Sequence, residues 1–271
     1  MPRYFIEVSY KGTRYSGFQI QKNAVTIQSE VEKALKIYFR QSFSLTGSSR
    51  TDAGVHALQN YFHFDVEQPL GKNFSNQSGA FKMPEVMAGK AFTSPEGNLE
   101  EVYNLNAILP KDIVIKRIFP VADKAHCRFD ALSREYKYFI YRNKDPFLQD
   151  KAFYFPYNVE MDQLNAAAQV LLEHKDFTSF SKRNTQVNNF NCDITKSGWM
   201  VENDTLIFTV KANRFLRGMV KGLVGTMLKV GTRKISLNQF NDIINNRDCS
   251  KADFSVPSHA LFLIKVSFDS F

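Results

Sequence analysis

The residues with the most chemical potential lie in one short stretch, 47–57, which reads Gly-Ser-Ser-Arg-Thr-Asp-Ala-Gly-Val-His-Ala. It places one carboxylate, one guanidinium and three hydroxyl groups between two glycines. Apolar and polar residues then alternate over 58–66, which predicts a half-buried strand. A polar loop that leads into a strand can present a side chain rigidly to a cleft, and the side chain so presented here is the carboxylate of Asp52.

Two other interpretations of this stretch compete on local chemistry. Thr-Asp-Ala-Gly is a common turn sequence, in which the aspartate bonds its own backbone and the glycine adopts a positive φ. A hydrolase could combine Ser48 or Ser49 with His56 and the carboxylate. These groups are too close in one loop for a usual triad, however, and the sequence has no Gly-x-Ser-x-Gly elbow.

The eight residues 50–57, Arg-Thr-Asp-Ala-Gly-Val-His-Ala, resemble the signature of the tRNA pseudouridine synthase A family residue for residue. The resemblance implies that Asp52 is the catalytic residue, because the family uses the aspartate of this motif for catalysis. It also implies that Arg50 is a substrate-binding residue. One neighbour departs from the family pattern, since Ser49 stands where the family often has glycine.

Two later segments resemble the same family. Residues 134–138, Arg-Glu-Tyr-Lys-Tyr, resemble the family's Arg-x-Tyr-x-Tyr, whose first tyrosine stacks on the target uracil, so the implied stacking residue is Tyr136. Residues 213–221 resemble Asn-x-Phe-x-x-x-Met-Val-Arg, whose arginine pairs with the catalytic aspartate. Lys221 takes that place here, and a lysine keeps the charge but loses the bidentate fork of an arginine.

The remaining predicted contacts are to the RNA and its target base. Residues 11–19 contain two glycines, two cations and two aromatics, which indicates a loop that can touch phosphate and stack on a base, although ordinary solvated loops share this composition. Family members have a similar element here. Residues 260–263 resemble the family run that lines the uracil pocket, which implies substrate contacts from Leu261 and Leu263. The cations expected to bind RNA are Lys11, Arg14, Arg134, Arg183, Arg214 and Arg217.

The periodicity of the chain predicts an α+β fold. Alternation indicates strands, and apolar spacing indicates helices that Thr26 and Asn213 are placed to cap. We expect two similar halves that form a mixed, mainly antiparallel sheet, with helices on one side and a central active-site cleft. Residues 1–110 carry the Asp52 loop, and residues 111–271 carry the stacking tyrosine and a basic helix. Residues 69–101 show little periodicity and are interpreted as an insertion.

Composition narrows the class of partner. The chain has 271 residues and a formal net charge of +8, which fits a polyanionic partner such as nucleic acid but is also common among proteins that bind none. The N-terminus has no signal-peptide pattern, and no apolar run is long enough to span a membrane. Three widely separated cysteines argue against a disulfide framework and predict a cytoplasmic location.

The reaction of the family converts uridine to pseudouridine within RNA: the N1–C1′ bond breaks, the uracil turns, and C5 bonds to C1′. No cofactor and no metal are expected, since the sequence has no P-loop, dinucleotide motif or metal-ligand spacing. The resemblance further implies a homodimer that acts on uridines at positions 38–40, in the anticodon arm of tRNA. It leaves open whether Asp52 attacks C1′ or removes the 2′ proton. A structured RNA-binding module without catalysis is the main alternative, because basic charge and tyrosines suit it equally.

Overall fold

The computed structural model describes residues 1–67, 70, 99–183 and 187–269. The insertion predicted at 69–101 lies outside the described residues, apart from Leu70 and the start of a helix at Leu99. Within the described ranges, no helix has the length and apolar composition needed to cross a membrane.

Nine strands and five helices make up the described part of the chain, and all nine strands join one sheet. The strands are β1 (Arg3–Tyr10), β2 (Thr46–Gly47), β3 (His56–Asp65), β4 (Ile113–Val121), β5 (Ala131–Tyr141), β6 (Phe153–Tyr154), β7 (Ile194–Glu202), β8 (Thr205–Ala212) and β9 (Leu261–Phe268). The helices are α1 (Ile27–Phe39), α2 (Leu99–Ile108), α3 (Met161–Glu173), α4 (Met219–Gly231) and α5 (Leu237–Asn245). Seven strands follow the order β4-β1-β3-β9-β5-β8-β7, while β2 pairs with β3 and β6 with β5.

The helices pack on one face of this sheet. Directly paired residues share a face, and one row of paired, buried residues crosses the seven strands in the order Ile113, Tyr10, Ala57, Leu263, Tyr136, Val210 and Ser197. In that row the Tyr10 ring stacks on Phe18, ahead of α1, and the Tyr136 ring meets Phe215, ahead of α4, edge-on. The predicted α+β fold with a mixed, mainly antiparallel sheet is therefore confirmed.

A parallel seam joins the two groups of strands, β4-β1-β3 and β9-β5-β8-β7. Strands β3 and β9 meet in only two residue pairs, His56 with Phe262 and Ala57 with Leu263. Further along the two strands, a side chain replaces the backbone pairing: the Oε1 of Gln59 on β3 accepts a hydrogen bond of 3.1 Å from the backbone N–H of Val266 on β9. Because the two strands run in the same direction, the loops that precede them lie at the same end of the sheet.

The two predicted helix caps have different outcomes. Thr26 caps α1 as expected: its Oγ1 accepts a hydrogen bond from the backbone N–H of Ser29, whose hydroxyl in turn accepts one from Thr26. The predicted cap at Asn213 is wrong. Its amide is bonded to Asp193, and α4 begins only after Gly218, which turns the chain at φ 74°. The residues 213–218 are therefore a connection rather than a helical turn.

The predicted boundary at residue 110 assigns β4 to the second half of the chain, yet β4 pairs along the length of β1, which lies in the first half.

Both outer strands of the sheet receive asparagine side chains from helices. On β4, Asn106 of α2 accepts from the backbone N–H of Ile115 and donates to its carbonyl, both at 2.8 Å. On β7, Asn165 of α3 accepts from the N–H of Trp199 at 2.8 Å.

The Asn106 contacts predict a stability effect. Asn106→Leu keeps the size of the side chain but removes both partners of the buried Ile115 backbone, and each unsatisfied buried group costs about 1–3 kcal/mol. We expect the free energy of unfolding, measured by urea denaturation, to fall by about 2–6 kcal/mol. Asn104→Leu, the same change on the same helix, is the control, and an equal loss in both variants would contradict this role for Asn106.

Candidate active site

The Asp52 loop is held by hydrogen bonds to the two residues Ser49 and Thr51, which precede the carboxylate. The hydroxyls of Tyr10 and Thr51 lie 2.8 Å apart, and the Thr51 carbonyl accepts from the backbone N–H of Phe18 at 3.1 Å. The Asn60 amide donates to the Ser49 carbonyl at 2.8 Å and to the Tyr10 hydroxyl at 3.1 Å. The partners of Ser49 and Thr51 lie on β1, on β3 and in the loop before α1. The position of Asp52 is therefore fixed by the sheet.

The turn predicted from Thr-Asp-Ala-Gly is present and is compatible with an exposed carboxylate. The N–H of Val55 donates to the Asp52 carbonyl at 3.1 Å, and Gly54 has a φ of 82°, which favours glycine. A second glycine is needed for close packing, because a Cβ on Gly12 would lie 2.0 Å from the Val55 carbonyl oxygen. The Asp52 side chain is half-buried, and within the described ranges no hydrogen bond to its carboxylate is formed.

His56 has a structural role in this loop. Its Nδ1 accepts from the N–H of Gly12 at 2.9 Å, and its Nε2 lies 3.1 Å from the carbonyl of Asp150. Burial lowers the pKa of His56, so the ring is neutral at pH 7. Both ring nitrogens therefore face backbone groups, and the arrangement gives no support to a hydrolase in which His56 activates Ser48 or Ser49.

Tyr136 approaches the same cleft from the second half of the chain. It lies on β5, is only 7% exposed, and meets Phe215 edge-on with ring centroids 5.1 Å apart. Burial raises the pKa of Tyr136, the charge of Arg134 opposes this rise, and the negative charge of Asp52 adds to it. The register places Tyr136 beside Leu263 and Leu263 beside Ala57, in the strand that follows the Asp52 loop.

Lys221, on the first turn of α4, is the third predicted catalytic residue. Burial lowers its pKa, the charge of Lys182 lowers it further, and the charge of Asp52 raises it. Its Nζ donates to the hydroxyl of Ser258 at 3.2 Å. Within the described ranges no ion pair shorter than 4 Å joins Lys221 to Asp52, so the direct pairing that the resemblance implies is not formed in this structure.

Sequence reasoning missed Ser258, which stands between the lysine and the Asp52 loop. A Cβ added to Gly54 would lie 3.3 Å from the Ser258 Cβ, so the segment before β9 packs directly on the turn after Asp52. Lys182 was also missed. Its aliphatic stem lies over Gly218, at the start of α4, and its charge reaches Lys221. Neither residue lies near its partner in sequence, and no local pattern marks either one.

The two leucines expected in the substrate pocket are both buried on the helix face of β9. Leu263 pairs with Tyr136 and Leu261 pairs with Tyr138, so the leucines line the sheet beside the tyrosine. Phe262, between them, points to the other face and packs on the His56 ring at 4.5 Å. A uracil stacked on Tyr136 would meet an apolar floor.

The predicted RNA-binding cations fall into two groups. Three of them are engaged within the protein: Lys11 pairs with Asp150, Arg14 with Asp112, and the Arg134 guanidinium donates to the carbonyls of residues 128, 131 and 213. Burial lowers the pKa of Arg134. Arg183 is exposed, at the edge of the described range. Within that range no carboxylate lies within 4 Å of the guanidinium groups of Arg50, Arg214 and Arg217.

Comparison with known proteins identifies relatives of this chain. Residues 167–269 match a family model described as tRNA pseudouridine synthase. The chain is 41% identical to tRNA pseudouridine synthase A of Parabacteroides distasonis over 268 residues, which cover 99% of this chain and 96% of the relative.

Two further relatives extend the likeness. The chain is 41% identical to tRNA pseudouridine synthase A of Porphyromonas gingivalis, over all of this chain and 98% of the relative. It is 29% identical to the enzyme of the same name from Staphylococcus aureus, over 98% of this chain and 91% of the relative. With a match of 41% identity over nearly the full length of two relatives, the chain belongs to the tRNA pseudouridine synthase A family.

Proposed function

We propose that this chain is an isomerase that converts uridine to pseudouridine in tRNA, with Asp52 as the catalytic carboxylate. The proposal is carried by the packing around the Asp52 loop: Ser258, which accepts a hydrogen bond from Lys221, packs on Gly54, and Leu263 pairs with both Ala57 and Tyr136. The reaction changes no atom count. The N1–C1′ bond breaks, a C5–C1′ bond forms, the C5 proton leaves and N1 gains a proton.

The charges around Asp52 suit the first step. Attack of the carboxylate on C1′ and removal of the 2′ proton both require an ionised carboxylate, and the structure of the site serves either route. The charge of Asp52 raises the pKa of Lys221, so the carboxylate and the ammonium group attract each other. Ser258 holds the ammonium group at a fixed place beside the loop.

Tyr136 is suited to stacking on the uracil and to donating a hydrogen bond. Burial and the nearby Asp52 charge both favour its protonated form, so the phenol is a poor proton acceptor at pH 7. A stacked uracil would lie on the Leu261 and Leu263 side of the sheet. Such a base has to leave the RNA stack before it can reach the cleft.

The substrate is proposed to be the anticodon arm of tRNA, with uridines at positions 38–40 as targets and two copies of the chain acting as a homodimer. A formal net charge of +8 and the arginines without carboxylate partners support an RNA substrate. A cytoplasmic location agrees with the free thiols of Cys127, Cys192 and Cys249.

The first test separates catalysis from RNA binding. Asp52→Asn keeps the shape of the side chain but removes its charge, so pseudouridine formation should fall at least about 100-fold, while the Kd for folded tRNA stays close to that of the wild type. The product is measured by chemical derivatisation of pseudouridine. Asp204→Asn, in the exposed β7–β8 turn, is the matched control. An Asp52→Asn enzyme with near wild-type turnover would remove Asp52 from the mechanism.

The second test addresses Tyr136. Tyr136→Phe keeps the ring, so it should retain tRNA affinity, whereas Tyr136→Leu should weaken binding by about 5- to 150-fold, the usual value of one base–aromatic stack. A thermal melt of each variant separates binding from folding. Equal affinity and full single-turnover activity in both would make Tyr136 a packing residue only.

The third test uses the pKa of Lys221. A neighbouring like charge disfavours the ammonium form, so Lys182→Gln should raise the pKa of Lys221, and the ammonium should persist to higher pH. The alkaline limb of the single-turnover rate, measured with saturating enzyme, should then shift upward in pH. Lys182→Arg keeps the charge and should leave the limb in place. A limb that is identical in all three proteins would mean that ionisation of Lys221 does not limit the reaction.

A further inference from the structure

Residues 126–130, the turn that leads into β5, present an aromatic ring to solvent. Phe129 is 75% exposed, which is unusual for so large an apolar side chain in a rigid turn. Its ring packs against His126 with centroids 4.2 Å apart, and the guanidinium carbon of Arg128 lies 5.7 Å from the ring centre. One flank of the ring is thus supported by protein while the rest remains open.

The turn is held firmly, so the exposed ring is preorganised. The Nδ1 of His126 accepts from the backbone N–H groups of Arg128, at 3.1 Å, and Phe129, at 3.3 Å, and the Asp130 carboxylate accepts from the N–H of His126 at 2.7 Å. Arg134 donates to the Arg128 carbonyl at 2.7 Å.

Cys127 fixes the turn to strands β2 and β3. Its thiol donates to the Thr46 carbonyl at 3.2 Å and lies 3.2 Å from the Nδ1 of His63. Burial raises the pKa of the Cys127 thiol to about 12 and lowers that of His63 to about 4, so both groups are neutral at pH 7. A neutral, buried anchor keeps the turn fixed over the whole range in which the enzyme would work.

Three guanidinium groups gather beside this ring. Arg50 and Arg128 line the same pocket, and the Arg134 guanidinium donates to the carbonyls of both Arg128 and Asn213, which places Arg214 next to the turn. Burial lowers the pKa of Arg128, and the charges of Arg50 and Arg214 lower it further. Within the described part of the chain, no carboxylate within 4 Å neutralises any of them. A cluster of this kind is an anion site, because an incoming phosphate relieves the mutual repulsion.

The cluster opens into a pocket next to the catalytic loop. The pocket has a volume of about 160 Å³, and its wall includes Thr46, Gly47, Arg50, His126, Arg128 and Phe129. Arg50 is two residues from Asp52, so the pocket and the cleft share one loop. A chain of nucleotides that places a uridine at Asp52 must run close to this pocket.

We propose that the Arg128–Phe129 turn, with Arg50 and Arg214, is a binding site for a nucleotide adjacent to the target uridine: the neighbouring base stacks on Phe129 and its phosphate binds the three guanidinium groups. An exposed aromatic face beside unpaired arginines is the arrangement by which proteins hold single-stranded RNA without reading its sequence. The site would keep the RNA strand open while the target base occupies the cleft. This inference rests on the proposed function, because it assumes an RNA substrate.

Stacking on Phe129 is tested in the Asp52→Asn protein, in which the bound tRNA is not converted. Phe129→Leu should raise the Kd for folded tRNA by at least about fivefold, and Phe129→Trp should not. Tyr103→Leu, an equally exposed aromatic on α2, is the control and should bind as before. Phe129→Trp also serves as a reporter. Its fluorescence should be quenched by tRNA, against the constant signal of the buried native Trp199.

The neighbouring base is identified by removing it. With an abasic nucleotide on one side of the target uridine, the protein that retains Phe129 and the Phe129→Leu variant should bind equally, because the stacked base is gone. With the abasic nucleotide on the other side, the difference should persist. If the Phe129→Leu penalty is the same on both abasic RNAs as on intact tRNA, or if there is no penalty and no quenching, the stacking site is refuted.

The phosphate contact is tested by salt dependence. Arg128→Gln should reduce the slope of log affinity against log salt by about 0.7–0.9, the value of one phosphate contact. Arg233→Gln is the matched control, because Arg233 is exposed and already paired with Glu160, and its slope should be unchanged. Equal slopes in the two variants would refute the phosphate site.

These binding measurements are independent of turnover. If the wild-type chain makes no pseudouridine, the proposed function fails, but a positive stacking and salt result would still establish the nucleotide site. If the wild type is active and all Phe129 and Arg128 variants bind like it, the nucleotide site fails alone.

Discussion

The site depends on the parallel pairing of two strands in a sheet that is otherwise almost wholly antiparallel. Only two residue pairs connect β3 to β9. Because the strands run in the same direction, the Asp52 loop and the segment that carries Ser258 begin at the same end, and Gly54 packs against Ser258. An antiparallel join would place these two loops at opposite ends of the sheet and would separate the carboxylate from Lys221.

The same sheet supplies both the core and the substrate surface. Tyr10, Leu263 and Tyr136 lie in one transverse row on the helix face, so the residues that pack the centre of the molecule include two that are proposed to contact the uracil, Leu263 and Tyr136. The Tyr10 hydroxyl then positions Thr51, next to Asp52. The positions of Thr51 and Asp52 are thus fixed by side chains buried in the core, which is more rigid than a loop on its own.

Sequence alone was sufficient where the signal is local. Alternation over 58–66 predicts β3, Thr26 marks the start of α1, and the motif around Asp52 carries the family resemblance. Contacts between distant residues were not predictable from these patterns. The partner of Lys221 is 37 residues away, and those of Arg14 and Lys11 are 98 and 139 residues away.

One error was local and has a physical cause. An asparagine followed by an amphipathic run is a reasonable helix start, but Asn213 is engaged by Asp193 and Gly218 takes the left-handed conformation, so α4 begins later. The shift leaves Arg214 outside the helix, next to Asn213, whose carbonyl shares the Arg134 guanidinium with that of Arg128. The roles of individual site residues remain predictions, because they depend on a substrate that meets several loops at once.

The helix asparagines that bond to the outer strands affect how readily the sheet can pair with another copy of this protein. An open sheet ends in backbone groups that invite another chain to add a strand, which is a route to aggregation. Asn106 occupies both polar groups of Ile115 on β4, and Asn165 occupies the N–H of Trp199 on β7. At these points the backbone groups are already bonded within the chain, so neither strand offers them to a strand of a second molecule.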